Sequence, residues 1–156
     1  MDARRTVRVQ ADLFDVGAET AALTRGRTDI GAVVAFTGLC RDEDASLAAL
    51  EIEHYPGMAE AEIARVVAEA EARWPLTGAR VIHRHGRIAP GEPIVLVVTA
   101  SRHRAAAFEA ASFLMDYLKA SAPFWKKEHR VDGAAGQWVA AKASDDAAAA
   151  RWQETP

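Results

Sequence analysis

The run of apolar and β-branched residues from Gly31 to Gly38, GAVVAFTG, most constrains what this chain can fold into. A continuous run of this kind is typical of a strand covered on both faces, so it predicts a central strand of a sheet. The glycine that closes the run leads into a polar loop, LCRDED. We therefore expect a fold built around a sheet, with this strand inside it.

Strands and helices interleave irregularly along the rest of the chain. Alternating or continuous apolar patterns predict further strands in TVRVQADLF, LAALEIEHY, ARVIHRHGRI, PIVLVVTA and GQWVAAK. Helical spacing predicts a helix after a capping Asp15, one between Pro56-Gly57 and Pro75, one from Ser101 to about Ala120, and a last turn or two in SDDAAAARW. Two strand pairs look like hairpins, so we expect an α+β fold with a mixed or antiparallel sheet and about three helices.

Length and charge narrow the class of protein. The chain has 156 residues, half of them hydrophobic, which fits a single domain over 1–156 with a core of about 6–142 and a C-terminal tail over 143–156. A net charge of -3 gives no overall attraction to nucleic acid or to an anionic membrane, and no segment approaches the ~20 apolar residues of a membrane span. The single cysteine, Cys40, excludes an internal disulfide and favours a cytoplasmic location.

Cations cluster where the third helix is expected to begin. If the Ser101 hydroxyl caps this helix, His103 and Arg104 fall in the first turn. The helix dipole favours acids there, so the cations are unusual, and together with free amide groups they form a good phosphate or carboxylate site. The alternative is that the arginines point into solvent or pair with acids elsewhere.

Lys119 lies near the other end of the same helix. A period of 3.6 residues places it on the shoulder of an apolar face formed by Phe108, Ala111, Met115 and Leu118. Pro123 ends the helix, and we expect Phe124 and Trp125 to return over the helix end as an aromatic lid. A lysine beneath such a lid is a usable acid, base or nucleophile. The alternative is that its stem covers apolar surface while the ammonium reaches water.

Two further patterns, a histidine pair and the single cysteine, give weaker indications of a functional site. His83 and His85 share one face of a predicted strand, as a metal pair requires, but no third ligand follows by spacing, so no metal site is expected. Cys40 precedes Arg41 with no local histidine or helix start, which favours a half-buried structural cysteine over an activated thiol. Arg41 follows a strand closed by glycine, where loops commonly carry binding residues.

Six ordered motifs resemble the catalytic (large) subunit of molybdopterin synthase, the MoaE family. They are VVAFTGLCR from Val33, LEIEHYPGMAE from Leu50, RWPL from Arg73, HRHGRIAPGE from His83, SRHRAAAFEA from Ser101 and MDYLKASAPFWKKE from Met115. They extend over nearly the whole chain, and the last two are long enough to be specific.

The resemblance implies an α/β-hammerhead fold in a homodimer, with a small ubiquitin-like sulfur-carrier subunit bound at each end to complete a heterotetramer. The implied activity is that of a sulfurtransferase of molybdenum cofactor biosynthesis. It converts cyclic pyranopterin monophosphate to molybdopterin, taking both sulfurs from the thiocarboxylated Gly-Gly C-terminus of the carrier. The resemblance implies no cofactor and no metal.

The resemblance also implies roles for individual residues. By position, Lys119 is similar to the principal catalytic residue of the family and Lys126 to its partner. Positions similar to substrate-binding residues are Arg41, His103, Arg104, Lys127, Glu128 and Lys142. Two positions depart from relatives: Leu39 replaces a lysine found in some of them, and Lys142 stands where an arginine can reach the neighbouring active site. We expect these departures to alter affinity without changing the reaction.

Two other functions are compatible with the residues alone. One is a non-catalytic scaffold that binds a ubiquitin-like partner, for which loss of Lys119 or Lys126 would be expected, although both are present. The other is a related sulfur or acyl transferase that acts on another phosphorylated substrate, which composition does not exclude. Binding to a carrier protein ending in Gly-Gly would discriminate among these functions.

Overall fold

The structure, a computed structural model, describes residues 4–133, 137–139 and 143–153. The elements follow in the order β1 (Arg5–Gln10), α1 (Val16–Thr24), β2 (Ala32–Leu39), β3 (Leu47–His54), α2 (Met58–Arg73), β4 (Leu76–Arg84), β5 (Gly86–Ile88), β6 (Pro93–Ser101), α3 (Arg104–Ala120), β7 (Phe124–Arg130), β8 (Gln137–Trp138) and α4 (Ala143–Ala150). None of these helices has the length and apolar run that a bilayer crossing requires.

The strands form two four-stranded sheets. The first has the order β1-β4-β6-β2, in which β1 is parallel to β4 and the other neighbours are antiparallel. The second has the order β5-β3-β7-β8 and is antiparallel throughout. The α+β class with mixed and antiparallel sheets is therefore confirmed.

Strand β2 has a different place from the one predicted. Within the residues that the structure describes, it lies at the edge of the first sheet and pairs only with β6. The two inner places belong to β4 and β6, and β6 is buried from Val95 to Ser101. The prediction of a central β2 was wrong because an apolar run shows that a strand needs cover but not where the cover comes from. Val33, Phe36 and Leu39 of β2 are exposed in the single chain.

The predicted strand ARVIHRHGRI is two strands that belong to different sheets. Strand β4 ends at Arg84, and β5 begins at Gly86, whose φ of +87° is a conformation that glycine adopts without strain. The chain passes here from the first sheet to the second. His83, next to the end of β4, is thereby brought against Phe124 of β7, with the ring centroids 3.8 Å apart and the rings 12° from parallel.

The two faces of the first sheet are covered by different helices. Helices α2 and α3 cover one face through residues such as Ile63, Phe113 and Leu114, which pack against Val81 and Val97. Leu23 of α1 covers the other face. This division follows from strand alternation, since neighbouring residues of β4 and β6 point to opposite sides.

The C-terminal segment packs on the same core. Trp152 follows α4, and its ring lies 5.5 Å from Trp74 and 5.6 Å from Phe113, measured between ring centroids. Its indole N–H donates to Asp116 of α3 at 2.7 Å, and its carbonyl oxygen accepts from Arg73 of α2 at 2.9 Å. Residues 143–153, predicted to lie in a tail, thus contact α2 and α3.

Helix α3 begins later than predicted, and of the predicted apolar face Ala111, Met115 and Leu118 pack against the core whereas Phe108 does not. Ser101 is the last residue of β6, and its hydroxyl donates to the carbonyl of Pro75 at 3.0 Å instead of capping a helix. His103 occupies the N-cap position without a side-chain hydrogen bond. Phe108, predicted to be buried, is 62% exposed, because small residues such as Ala107 and Ala110 let the helix lie close to the sheet.

Candidate active site

A cavity of about 670 Å³ opens where the end of β2 and the start of β6 meet α3 and β7. The residues lining it are Phe36 to Asp44, Leu47, Leu50, His83, Ile94, Val95, Met115, Leu118, Lys119, Lys126, Glu128, Arg130 and Val139. The volume falls in the range of small-molecule sites. Lys119 and Lys126, the residues predicted to be catalytic, thus lie at one cavity.

The exit from α3 determines where the lysines lie. Lys119 is in the last turn of α3, and the chain then passes into β7 at Phe124. Side chains alternate along β7, so Lys126 and Glu128 share the side that lines the cavity. Lys127 is not among the lining residues, and its Nζ lies 5.3 Å from the ring centroid of Trp138. The cavity of a single chain therefore includes Lys126 but not Lys127.

The aromatic lid predicted over Lys119 was wrong. Lys119 is exposed, whereas Phe124 stacks on His83 and Trp125 meets the edge of Tyr55 with ring centroids 5.6 Å apart. Phe124 already belongs to β7, where it pairs with His54. The chain therefore leads away from the helix end and does not fold back over it.

His83, which the sequence indicates only as one of a possible metal pair, is a buried member of the cavity lining. It is 5% exposed, and its Nδ1 lies 2.8 Å from the carbonyl oxygen of Arg84. Burial lowers the pKa of His83 to about 3; the positive charges of Lys126 and Lys119 act in the same direction, and the hydrogen bond to Arg84 opposes them. The imidazole is therefore neutral at physiological pH.

The loop after β2 forms one rim of the cavity. Arg41 is highly exposed there and forms an ion pair with Glu43. Cys40 is buried, its backbone bonds to Gly91 and Glu92 at 2.7 and 2.8 Å, and burial, followed by the charge of Asp42, raises the pKa of its thiol. These features fit the predicted structural cysteine, which is buried more deeply than expected.

The cavity of one chain is not strongly cationic. Among the described lining residues, four are basic and four are acidic: Arg41, Lys119, Lys126 and Arg130 against Asp42, Glu43, Asp44 and Glu128. Some of these acids form ion pairs with basic residues of the lining. Glu128, for example, lies 2.8 Å from a guanidinium nitrogen of Arg130. A phosphorylated ligand would gain little net attraction from these side chains alone.

His103 and Arg104 lie outside this cavity, at the opposite end of α3. Arg104 and Lys119 are fifteen residues apart on the helix, or about 22 Å at about 1.5 Å per residue. The beginning of β2 passes next to this end, where the amide of Gly31 donates to the carbonyl of Ser101 at 3.0 Å. One chain therefore does not bring the predicted phosphate contacts to the lysines.

Two further predictions concern Lys142 and a possible metal site at His83 and His85. Lys142 lies outside the described residues. No group of three or more potential metal ligands occurs in the described part of the chain. The rings of His83 and His85 instead lie against Phe124 and His54, at centroid distances of 3.8 and 4.4 Å.

The distant segments that converge on this cavity match a known family. The model of the MoaE protein family matches residues 9–121. The chain belongs to the MoaE family. This match includes the end of β2, His83 and the whole of α3, and stops just before β7.

Individual MoaE relatives support the same assignment. A protein of Mesorhizobium japonicum named molybdopterin synthase catalytic subunit is 69% identical over 150 residues, which is 96% of this chain and 94% of the relative. The solved MoaE protein of Burkholderia ambifaria superimposes with a TM-score of 0.82 at 48% identity, covering 96% of this chain and 98% of that one. The family and the enzyme class expected from the sequence motifs are confirmed.

A more distant structure shares the MoaE fold. It is a complex of subunits 1 and 2 of molybdopterin-converting factor from Helicobacter pylori, with a TM-score of 0.65 and 20% identity. The match covers 90% of this chain and 92% of that one.

Proposed function

We propose that this chain converts cyclic pyranopterin monophosphate to molybdopterin, using sulfur delivered by the C-terminal thiocarboxylate of a small ubiquitin-like carrier protein. Lys119 and Lys126 are the proposed catalytic residues. The observation that carries this proposal is that both lysines line one cavity large enough for a pterin. An amino group next to the reacting atoms can stabilise developing negative charge and exchange protons during sulfur transfer.

The positions of the two lysines suit different parts of this task. Lys119 is exposed at the end of α3, where an extended chain terminus from another protein can reach it. Lys126 is half-buried on β7, beside the apolar side chains of the cavity wall. We therefore assign Lys119 to the incoming carrier tail and to the reacting centre, with Lys126 as the supporting charge.

The substrate phosphate needs cations that the cavity of one chain does not supply in excess. We propose that His103 and Arg104 of a second copy provide them, in a homodimer formed by antiparallel pairing of the β2 edges about a two-fold axis. Strand β2 runs from the His103–Arg104 end of its chain, near Gly31, to the cavity, near Leu39. Antiparallel pairing would place the Gly31 end of one chain beside the Leu39 end of the other.

The exposed side chains of β2 support this arrangement. Val33, Phe36 and Leu39 are apolar and exposed along the edge strand. A second β2 would remove them from water and would satisfy the backbone groups along the same edge. Arg41, Lys127, Glu128 and Lys142 stay predicted substrate contacts, of which Arg41 and Glu128 line the cavity of their own chain.

The carrier completes the proposed assembly. Each chain of the dimer has one cavity, so two carriers would bind and form a heterotetramer. The Helicobacter pylori complex of two different subunits on the same fold supports binding of a second protein. A cytoplasmic location belongs to the same proposal and rests on the single, buried Cys40.

The decisive experiment compares Lys119→Ala with Lys127→Ala in a molybdopterin-forming assay with the cyclic precursor and a thiocarboxylated carrier. We expect Lys119→Ala to lose at least about 100-fold in rate, the scale of acid–base and charge stabilisation, with an unchanged unfolding midpoint because the side chain is exposed. Lys127→Ala removes the same functional group at a predicted substrate contact outside the cavity of its own chain, so it should mainly raise KM for the precursor and keep most of kcat. Normal turnover by Lys119→Ala would refute its catalytic role, and no product from the wild type would favour a scaffold.

A further inference from the structure

His83 is a buried polar side chain of the cavity to which the proposed chemistry gives no task. One face of its ring stacks on Phe124 at a centroid distance of 3.8 Å. Its Nδ1 lies 2.8 Å from the carbonyl oxygen of Arg84. A carbonyl oxygen only accepts hydrogen bonds, so Nδ1 carries the proton in this contact.

The remaining ring nitrogen of His83 is consequently an acceptor. In a neutral imidazole with a protonated Nδ1, Nε2 holds a lone pair and no proton. Burial keeps the ring neutral, with the pKa of His83 lowered to about 3. Such a weakly basic group is a poor proton acceptor in a reaction at neutral pH, but it remains a good hydrogen-bond acceptor.

Strand alternation places the Lys126 side chain on the side of β7 that faces His83. Phe124 and Lys126 are two residues apart on β7, so their side chains leave the strand on the same side. Phe124 holds the His83 ring on that side, and both His83 and Lys126 line the cavity. The positive charge of Lys126 also contributes to the lowered pKa of His83, as expected if the ammonium lies near the ring.

We propose that His83 is a positioning residue for Lys126: its Nε2 accepts a hydrogen bond from the Lys126 amino group and holds that group toward the cavity. The neutrality of the acceptor has a function in this arrangement. A carboxylate at the same place would orient the lysine equally well but would cancel its charge for an anionic substrate. An uncharged imidazole orients the ammonium and leaves the positive charge in place. The catalytic consequence rests on the proposed role of Lys126, whereas the hydrogen bond itself does not.

Two substitutions separate the two ring nitrogens. His83→Asn keeps an N–H donor near the position of Nδ1 and removes the acceptor at the position of Nε2. His83→Gln extends an amide oxygen toward the position of Nε2 and can restore the acceptor. In case His83→Asn does not fold, His83→Phe preserves the stack on Phe124 and also lacks the acceptor.

The primary measurement is a pH titration of the Lys126 Nζ by NMR in the full chain without substrate, with the signal assigned by its loss in Lys126→Arg. An acceptor stabilises the ammonium form. We therefore expect the pH of half-protonation to fall by at least about half a unit in His83→Asn and to return toward the wild-type value in His83→Gln, as an ordinary hydrogen bond implies. An unchanged midpoint in His83→Asn, or equal shifts in both variants, would overturn the proposal.

A kinetic measurement then tests the catalytic consequence. We expect kcat for molybdopterin formation to fall about tenfold or more in His83→Asn, with KM for the precursor changed by less than about threefold and partial recovery in His83→Gln. A loss confined to KM would contradict positioning of a catalytic lysine. Because the NMR titration needs no turnover, failure of the proposed function leaves its result standing, so the two failures are distinguishable.

Discussion

At the scale of single residues, the buried His83 should make the stability of the fold depend on pH. Its ordinary pKa of 6.5 falls to about 3 in the folded chain, chiefly through burial. Below pH 6.5 the unfolded chain therefore binds a proton at His83 that the folded chain does not bind. The contribution of His83 to the free energy of unfolding is fully present above pH 6.5 and is lost as the pH falls toward 3. At pH 5 the loss is about 2 kcal/mol. We expect the difference in the free energy of unfolding between pH 7 and pH 5, measured with urea, to be smaller by about this amount in His83→Phe than in the wild type.

The control for this effect lies in the same molecule. Burial also lowers the pKa of His85, and that contribution is present in both the wild type and His83→Phe, so it cancels in the comparison. The same pH dependence in both proteins would show that His83 is not held neutral by the fold.

Arg104 provides a second test at this scale. We expect Arg104→Ala to weaken binding of the phosphorylated precursor by roughly 10- to 100-fold, which corresponds to one hydrogen bond to a charged group, and to leave carrier binding nearly unchanged. Isothermal titration with each ligand measures both affinities. Arg65→Ala, which removes an arginine paired with Glu62 on α2, is the control and should change neither. Equal losses for both ligands would argue against a phosphate contact.

The residues that sequence could predict are those whose signal is local. Asp15 was predicted to cap α1, and its carboxylate accepts from the amide of Ala18 at 2.9 Å. Lys119 and Lys126 stood out because their motif is continuous. The sequence indicates His83 only as one of a possible metal pair, because its contact with Phe124 joins residues that are distant in sequence and meet only after both sheets have formed.

At the scale of helices and strands, local patterns predicted where the elements lie better than which elements they pair with. Strand β2 was predicted as a strand but not as an edge, because apolar residues require cover without specifying its source. The sequence pattern predicts β4 and β5 as one strand, because a glycine within an apolar stretch does not reveal that the chain leaves its sheet there. The face of α3 was misjudged at Phe108, because the alanines that actually face the sheet carry a weaker hydrophobic signal.

Gly31, the residue before β2, lies very close to the backbone of Arg102. A Cβ on Gly31 would overlap the carbonyl oxygen of Arg102, which belongs to the connection between β6 and α3. We expect Gly31→Ala to destabilise the fold by roughly 1–3 kcal/mol, since the backbone must shift to admit the methyl group. Chemical denaturation checks this, with Gly17→Ala as the matched control.

Gly17 is a suitable control because it accepts a methyl group more easily. It lies in the first turn of α1, where an added Cβ would make only an ordinary 3.4 Å contact with Asp15. Alanine also favours helix over glycine, so Gly17→Ala should be neutral or slightly stabilising. If both variants had the same stability, the close approach of β2 to the start of α3 would be without energetic consequence.

At the scale of the whole molecule, the proposed dimer makes a quantitative prediction. Lys119→Ala and Arg104→Ala chains are mixed under conditions that exchange subunits and assayed at a precursor concentration low enough that neither variant alone has appreciable activity. Exchange is verified by native mass spectrometry. In a mixed dimer with shared sites, one active site contains both substitutions and the other contains neither. With random pairing half the dimers are mixed, so activity should recover toward about a quarter of the wild-type value. Verified exchange without recovery would show that each site is built within one chain.

The exposed edge of β2 also affects the chain before it meets a second copy. A newly synthesised chain presents an extended backbone edge flanked by Phe36 and Leu39, and such an edge adheres to other extended polypeptides. In the proposed dimer, the rate of correct pairing rises with the square of the chain concentration, whereas the rate of capture by unrelated partners rises with its first power. Slow synthesis would therefore favour misassociation, and expression of this protein at very low levels should yield a smaller fraction of correctly assembled chains than expression at moderate levels.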